Sequence, residues 1–189
     1  MIVWQMKRRM PLGAMRSQGR RACFMVWLKT FVFTIIVPGT VTALIPYLLL
    51  SENPSLFTRI GPFQFPGLIP MAIGAAIYLR CAWDFASAGK GTPAPIDPPK
   101  TLVARGLYRF VRNPMYAGVL LALLGEAWLF KSSTLLVYAA IVFTCVHLFV
   151  VFYEEPALRR QFGESYSDYL AGTPRWIPRV NNSARRQER

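Results

Sequence analysis

Four apolar runs, at about residues 24–50, 66–86, 114–130 and 132–153, constrain this chain more than any other feature. A helix needs roughly 20 mostly apolar residues to cross a hydrocarbon layer, with about 17 as the lower limit. The runs therefore predict an all-α integral membrane protein with about four transmembrane helices. Pro38, Gly39 and Pro46 fall inside the first run and are expected to kink or break it, which would raise the number to five.

Charge sorts with these runs. The net charge of +13 could suit a nucleic-acid binder, but the cations are segregated by loop. Lys7, Arg8, Arg9, Arg16, Arg20, Arg21 and Lys29 precede or begin the first span. Lys90, Lys100, Arg105, Arg109 and Arg112 lie between the second and third, and more arginines follow the fourth, from Arg159 to Arg189. The two opposite-side loops hold only Arg59 and Lys131. Positive residues stay on the cytoplasmic side, so both termini and the central loop are expected to be cytosolic, at a bacterial inner membrane or its equivalent. Membrane lipids are then the expected surroundings, and nucleic acid is not an expected partner. The basic start followed by residues 24–37 has the look of a signal peptide. The apolar run is too long for one and lacks a small-residue cleavage site, so it reads as an uncleaved span.

Cys23, Cys81 and Cys145 stand alone without C-x-x-C spacing, which argues against disulfides and a zinc site. His147, inside the fourth run, reads as a packed or hydrogen-bonded residue rather than a metal ligand. No G-x-G-x-x-G follows a strand, which excludes a soluble Rossmann-type enzyme.

The second span ends with Arg80 and Asp84, one helical turn apart. They read first as an ion pair, with a functional role as the alternative. Residues 89–100, GKGTPAPIDPPK, exclude a continuous helix and favour extended chain over the cytosolic mouth. From Leu102 to Arg112 the spacing predicts an interfacial helix. Arg105, Arg109 and Arg112 would face phosphates, and Val103, Leu107 and Phe110 acyl chains. Asn113-Pro114 reads as a helix start, with Asn as N-cap and Pro at the first position. The positive end of the helix dipole there suits a carboxylate or phosphate.

Further along, Gly118, Ala122 and Gly125 form a small-residue face for close packing, and Glu126 beside it has no evident partner. Lys131-Ser132-Ser133 predicts a tight turn and an antiparallel hairpin of the last two spans. That hairpin returns Glu154-Glu155 to the membrane face where Asn113-Pro114 begins. The glutamates are either paired with loop arginines or open to a cationic ligand. A small zwitterion would find partners at this corner: a helix dipole or arginines for its carboxylate, a glutamate for its ammonium, and Tyr108 or Tyr116 for a flat ring.

GTPAPIDPPKTLVARGLYRFVRNPMYAG followed by EEPALRRQFGESYSDYLAGTPRWIP resembles the isoprenylcysteine carboxyl methyltransferase family and its bacterial relatives, which in turn resemble phospholipid methyltransferases. The likeness covers roughly residues 85–178; residues 1–84 match only as generic spans. It implies S-adenosyl-L-methionine as cofactor and a lipophilic methyl acceptor arriving from the bilayer. Carried over by position, it implies cofactor contacts at Lys100, Thr101, Leu102, Val103, Tyr108, Asn113, Pro114, Met115, Tyr116 and Glu154. Glu154 would hold the methionine amino group. Many family members carry His at the position of Asn113, which cannot titrate near neutrality. The eukaryotic enzymes place an arginine at the position of Val150. Arg175 is the candidate replacement, and Glu155 and Tyr166 are candidate bases should the acceptor carry a proton.

The chain thus divides into a basic segment 1–23, two spans in 24–86, a methyltransferase core in 87–178 and a basic tail in 179–189. Methylation of a prenylcysteine-type carboxylate is the leading expectation. A phospholipid, small amine or thiol acceptor is the alternative, and a non-catalytic lipid-binding module or a sterol-reductase-like protein are the competing readings.

Overall fold

The computed structural model describes residues 28–52, 60–85, 87 and 104–178. Segments 1–23, 89–100 and 179–189, and with them Lys100 to Val103, lie outside the described residues. The described chain is all-helical. Helix α1 runs Leu28–Ser51, α2 Pro62–Asp84, α3 Pro114–Leu129, α4 Ser133–Phe162 and α5 Glu164–Gly172. Three of these, α1, α2 and α4, are long and apolar enough to cross a membrane.

Helix α3 is shorter. Its 16 residues span about 24 Å at 1.5 Å per residue. The apolar run continues to Phe130, but Lys131 takes a positive φ of 46° and turns the chain. Ser132 then caps α4 by accepting from the Leu135 amide at 3.3 Å. The predicted antiparallel hairpin is present and its turn falls at Lys131-Ser132.

The first span stays unbroken. Pro46 cannot donate to a helical ladder, and its ring crowds the carbonyl one turn back. Residues Thr40–Leu44 answer with a π-helical turn, in which the Ile45 amide donates to the Thr40 carbonyl. The Thr42 hydroxyl satisfies the Pro38 carbonyl at 2.8 Å. The expected kink is therefore a local widening rather than a break.

Helices α2 and α3 pack antiparallel through glycines. Gly67 faces Gly125, and Gly74 faces Gly118 and Ala122. A Cβ placed on Gly67 would lie 2.6 Å from the Gly125 carbonyl oxygen, and one on Gly125 equally close to that of Gly67. The backbones thus touch where side chains would normally intervene, as the small-residue face predicts. Gln64, buried at the end of this seam, donates to the Leu129 carbonyl at 3.0 Å and ties off α3.

The interfacial helix expected over 102–112 is not formed in its described part. Residues 106–109 make a single 3₁₀ turn, entered at Gly106 with φ +58°. The Asp84 carboxylate occupies the place a Cβ on Gly106 would take, so only glycine fits at this entry. Arg80 and Arg105 both approach that carboxylate, at 3.5 and 3.9 Å, so the expected Arg80–Asp84 ion pair exists and recruits the loop. Arg105 also donates to the Ser87 hydroxyl at 2.6 Å. An arginine stripe aimed at lipid would need a regular helix, and the chain instead spends Arg105 on Asp84.

Candidate functional site

The site is built where the start of α3 meets the widened end of α4. Asn113 stands before α3, yet its side chain caps nothing. Its amide donates instead to the Arg175 carbonyl at 3.3 Å, while its own carbonyl accepts from Ala117. Pro114 opens the helix, Met115 is buried, and Tyr116 projects toward α4. On α4, residues Val150–Glu154 form a π-helical turn, the Glu155 amide reaching back to the Val150 carbonyl. The wider turn lies directly before Glu155, and the two glutamates reach different partners at the corner. Val150 itself is buried, 1% exposed, so it packs beneath the site.

The two glutamates have different partners. Glu155 accepts from Arg112 at 2.8 Å and from Arg175 through both carboxylate oxygens, at 2.9 and 3.0 Å. Glu154 accepts from the Tyr116 hydroxyl at 3.1 Å. Among the described residues no cation pairs with it. The two alternatives left open by the sequence are thus divided between neighbours: one glutamate is paired with arginines, and one is not.

Two arginines on one carboxylate leave a formal surplus of one positive charge. The three side chains are 17%, 31% and 12% exposed for Arg112, Arg175 and Glu155, so water screens this surplus only in part. Hydrogen bonding to Glu155 raises the Arg175 guanidinium further above its ordinary value, despite some desolvation, and it remains charged at any workable pH.

Tyrosines enclose the corner. Tyr166 on α5 is buried, 3% exposed. Burial first, then the negative fields of Glu155 and Glu154, push its phenol up to about 12. It is a protonated donor at neutral pH. Tyr169 is also raised, by burial and then by Tyr166, and its hydroxyl donates to the Tyr108 carbonyl at 2.7 Å. Tyr108 sits in a buried cluster with Tyr78, Cys81, Ala82 and Met115, its ring edge-on to Phe85 at 5.4 Å. Burial, reinforced by Cys81, raises its phenol well above the usual range. Glu154 and Tyr116 lie close enough to add to that shift, which places Tyr108 behind the corner as part of its wall.

Of the residues singled out from sequence, Asn113, Pro114, Met115, Tyr116, Glu154, Glu155, Tyr166 and Arg175 come together here, with Tyr108 behind them. Arg112, expected on a phosphate-facing stripe and also among the loop arginines that could pair with the glutamates, is a direct partner of Glu155, and its guanidinium also reaches the Thr173 carbonyl at 2.6 Å. Its position was a usable signal: an arginine immediately before an Asn-Pro helix start lies level with glutamates that return on the next helix.

An all-helical membrane protein with a charged corner at one end of a hairpin is the class that fold and site define. A sequence model of the phospholipid methyltransferase family matches residues 63–165, more than half of the chain, and the chain belongs to that family. Membership indicates a membrane methyltransferase. The match begins at Phe63 and so takes in α2, which the sequence reading left as a generic span. The glycine seam to α3 is the structural reason α2 belongs with the core. No curated protein matches the chain.

Proposed function

We propose that the chain is an integral membrane S-adenosyl-L-methionine-dependent methyltransferase that methylates a lipophilic acceptor at the cytosolic membrane face. The observation that carries the reading is Glu154, a carboxylate held by a tyrosine hydroxyl and lacking a cation among the described residues. That arrangement fits the α-amino group of the cofactor. The free backbone N–H groups in the first turn of α3 fit its carboxylate. S-adenosyl-L-methionine would supply an electrophilic sulfonium methyl and leave as a thioether.

The chain's own contribution is binding, alignment and exclusion of water, which can supply roughly 7–11 kcal/mol of a methyl-transfer barrier. Glu154 and Tyr116 hold one reactant. The surplus positive charge at Arg112, Glu155 and Arg175 favours an anionic group on the other. Arg175 can leave Glu155 for an incoming anion because Arg112 stays behind to neutralise that carboxylate.

A carboxylate acceptor, as in a prenylcysteine-type lipid, fits best, because it arrives deprotonated and needs no base. Glu155, with both oxygens engaged by arginines, is a poor proton acceptor, and Tyr166 is a protonated phenol. A second reading has specific support from the family match: a phospholipid amine as acceptor, its phosphate meeting the same surplus charge.

One experiment separates these outcomes. Purified protein is incubated with methyl-labelled cofactor and a total membrane lipid extract. Label released as volatile methanol by mild base marks a carboxyl ester, and label that resists base in a polar lipid marks N-methylation. No labelled lipid, together with no binding of S-adenosylhomocysteine, would refute the methyltransferase reading.

A further inference from the structure

Beyond Gly172, where α5 ends, the chain crosses the site as a short non-helical segment, Thr173 to Trp176. Pro174 and Pro178 lack amide protons and keep it from extending the helix. Four consecutive residues reach two other parts of the chain, the segment before α3 and α4. The Thr173 carbonyl accepts from Arg112 Nε at 2.6 Å, and the Pro174 carbonyl from the Arg112 amide at 2.9 Å. The Arg175 carbonyl accepts from Asn113, and its side chain binds Glu155. Trp176 alone turns away from the corner. Its indole Nε1 donates to His147 Nδ1 at 3.1 Å, and its ring lies edge-on to Phe143 at 5.4 Å.

The strap packs only in part: Thr173 is buried, Pro174, Arg175 and Trp176 are half-buried, and Ile177 beyond it is 78% exposed. A short segment fastened largely by hydrogen bonds can open locally without unfolding the rest. Trp176 follows Arg175 directly, so a movement of the strap backbone that draws the guanidinium off Glu155 also draws the indole off His147. The hydrogen bond on α4 and the ion pair at the corner are therefore two fastenings of one short segment.

We propose that Thr173–Trp176 is a latched strap over the site, that the Trp176–His147 bond is its latch, and that release of the latch governs exchange of bound molecules. His147 and Trp176 are positioning residues in this account: they act through Arg175 and touch no reacting atom. The proposal rests on the corner being the methyltransferase site, but the opening of the strap can be read without any cofactor.

The test uses full-length protein in detergent micelles with three variants. Trp176→Phe keeps the ring and loses the donor. His147→Phe loses the acceptor, and His147→Gln offers an amide oxygen in its place. Two rates are measured on each: trypsin cleavage after Arg175, followed by mass spectrometry, and dissociation of S-adenosylhomocysteine. In Trp176→Phe and His147→Phe both rates should rise roughly five- to tenfold, the factor that one net hydrogen bond is worth. The melting temperature should hardly move. His147→Gln should stay within about twofold of the parent, a rescue that loss of bulk packing would not give.

Unchanged cleavage in Trp176→Phe and His147→Phe overturns the latch, as does a His147→Gln variant that behaves like His147→Phe. Faster cleavage with an unchanged dissociation rate overturns its control of exchange. Faster cleavage in a protein whose parent never binds S-adenosylhomocysteine supports the strap and removes the cofactor reading of the site.

Discussion

Along its length α3 meets α2 through glycines, whereas at its start it meets α4 and the strap through arginines, glutamates and a tyrosine. The first contact is short, apolar and made by backbone against backbone. The second is made by long side chains reaching across a corner. A glycine seam has one geometry and tolerates no added atom, so it fixes the helix pair. A charged corner can exchange partners, since a carboxylate shared by two arginines can release one and remain neutralised. The same helix is thus anchored at one region and adaptable at the other, a division suited to a scaffold that must stay rigid while its mouth opens.

This contrast is easiest to break at the seam. Gly125→Leu pushes a branched side chain into the Gly67 carbonyl and should cost about 3 kcal/mol, the upper range for overpacking. Thermal unfolding in detergent would register it as a large drop in midpoint, and a midpoint equal to the parent's would show that the helices are not held by close backbone contact.

At the corner the expected effect moves from stability to binding. Glu154→Gln keeps the shape and removes the charge, so S-adenosylhomocysteine affinity should fall roughly 10- to 100-fold, corresponding to about 1.5–3 kcal/mol for a charged hydrogen bond. The unfolding midpoint should change little. Titration calorimetry checks the first statement, and equal affinity in parent and variant would remove Glu154 from the site.

A smaller effect sharpens the role of shape within the charge cluster. Arg175→Lys retains the cation but loses the two-pronged hold on Glu155. Turnover should decline a few-fold, about 1 kcal/mol or less, and trypsin should cut the strap more readily. Wild-type turnover with this lysine would mean that charge alone matters there.

The smallest effect concerns alkaline pH. The Tyr166 phenol is raised in the folded protein to about 12, above its ordinary value near 10. Its contribution to stability is fully present below pH 10 and is lost as pH rises from about 10 through 12, because the unfolded chain releases that proton first. Tyr166→Phe should flatten part of the alkaline limb of a stability–pH curve and leave the neutral region level. An unaltered alkaline limb would show that the phenol is not buried as described.

Much of the fold could be read from residue order because lipid imposes a simple rule on composition. Apolar runs marked the helices, Asn113-Pro114 marked a helix start, and Gly118, Ala122 and Gly125 marked a packing face. All three features are local, and the structure bears them out at those positions. Two local expectations went otherwise. Where a helix was foreseen over 102–112, residues 106–109 form a single turn, and Asp84, more than twenty residues earlier, occupies the space a Cβ on Gly106 would take. The first span absorbs its prolines locally, through a widened turn rather than a break.

The sequence by itself determined that this chain enters a membrane as apolar helices and that charge and aromatic rings gather where one hairpin begins and ends. Composition and spacing suffice for that, since both act through transfer to lipid and helix geometry. Only the tertiary structure decided which glutamate is paired with arginines and which, among the described residues, accepts from a tyrosine instead. It also decided that Arg112 belongs to the corner, and that Trp176 ties the strap to His147. Those choices depend on distances of about 3 Å between side chains of different helices, and nothing in the linear order of residues fixes such distances until the helices have packed.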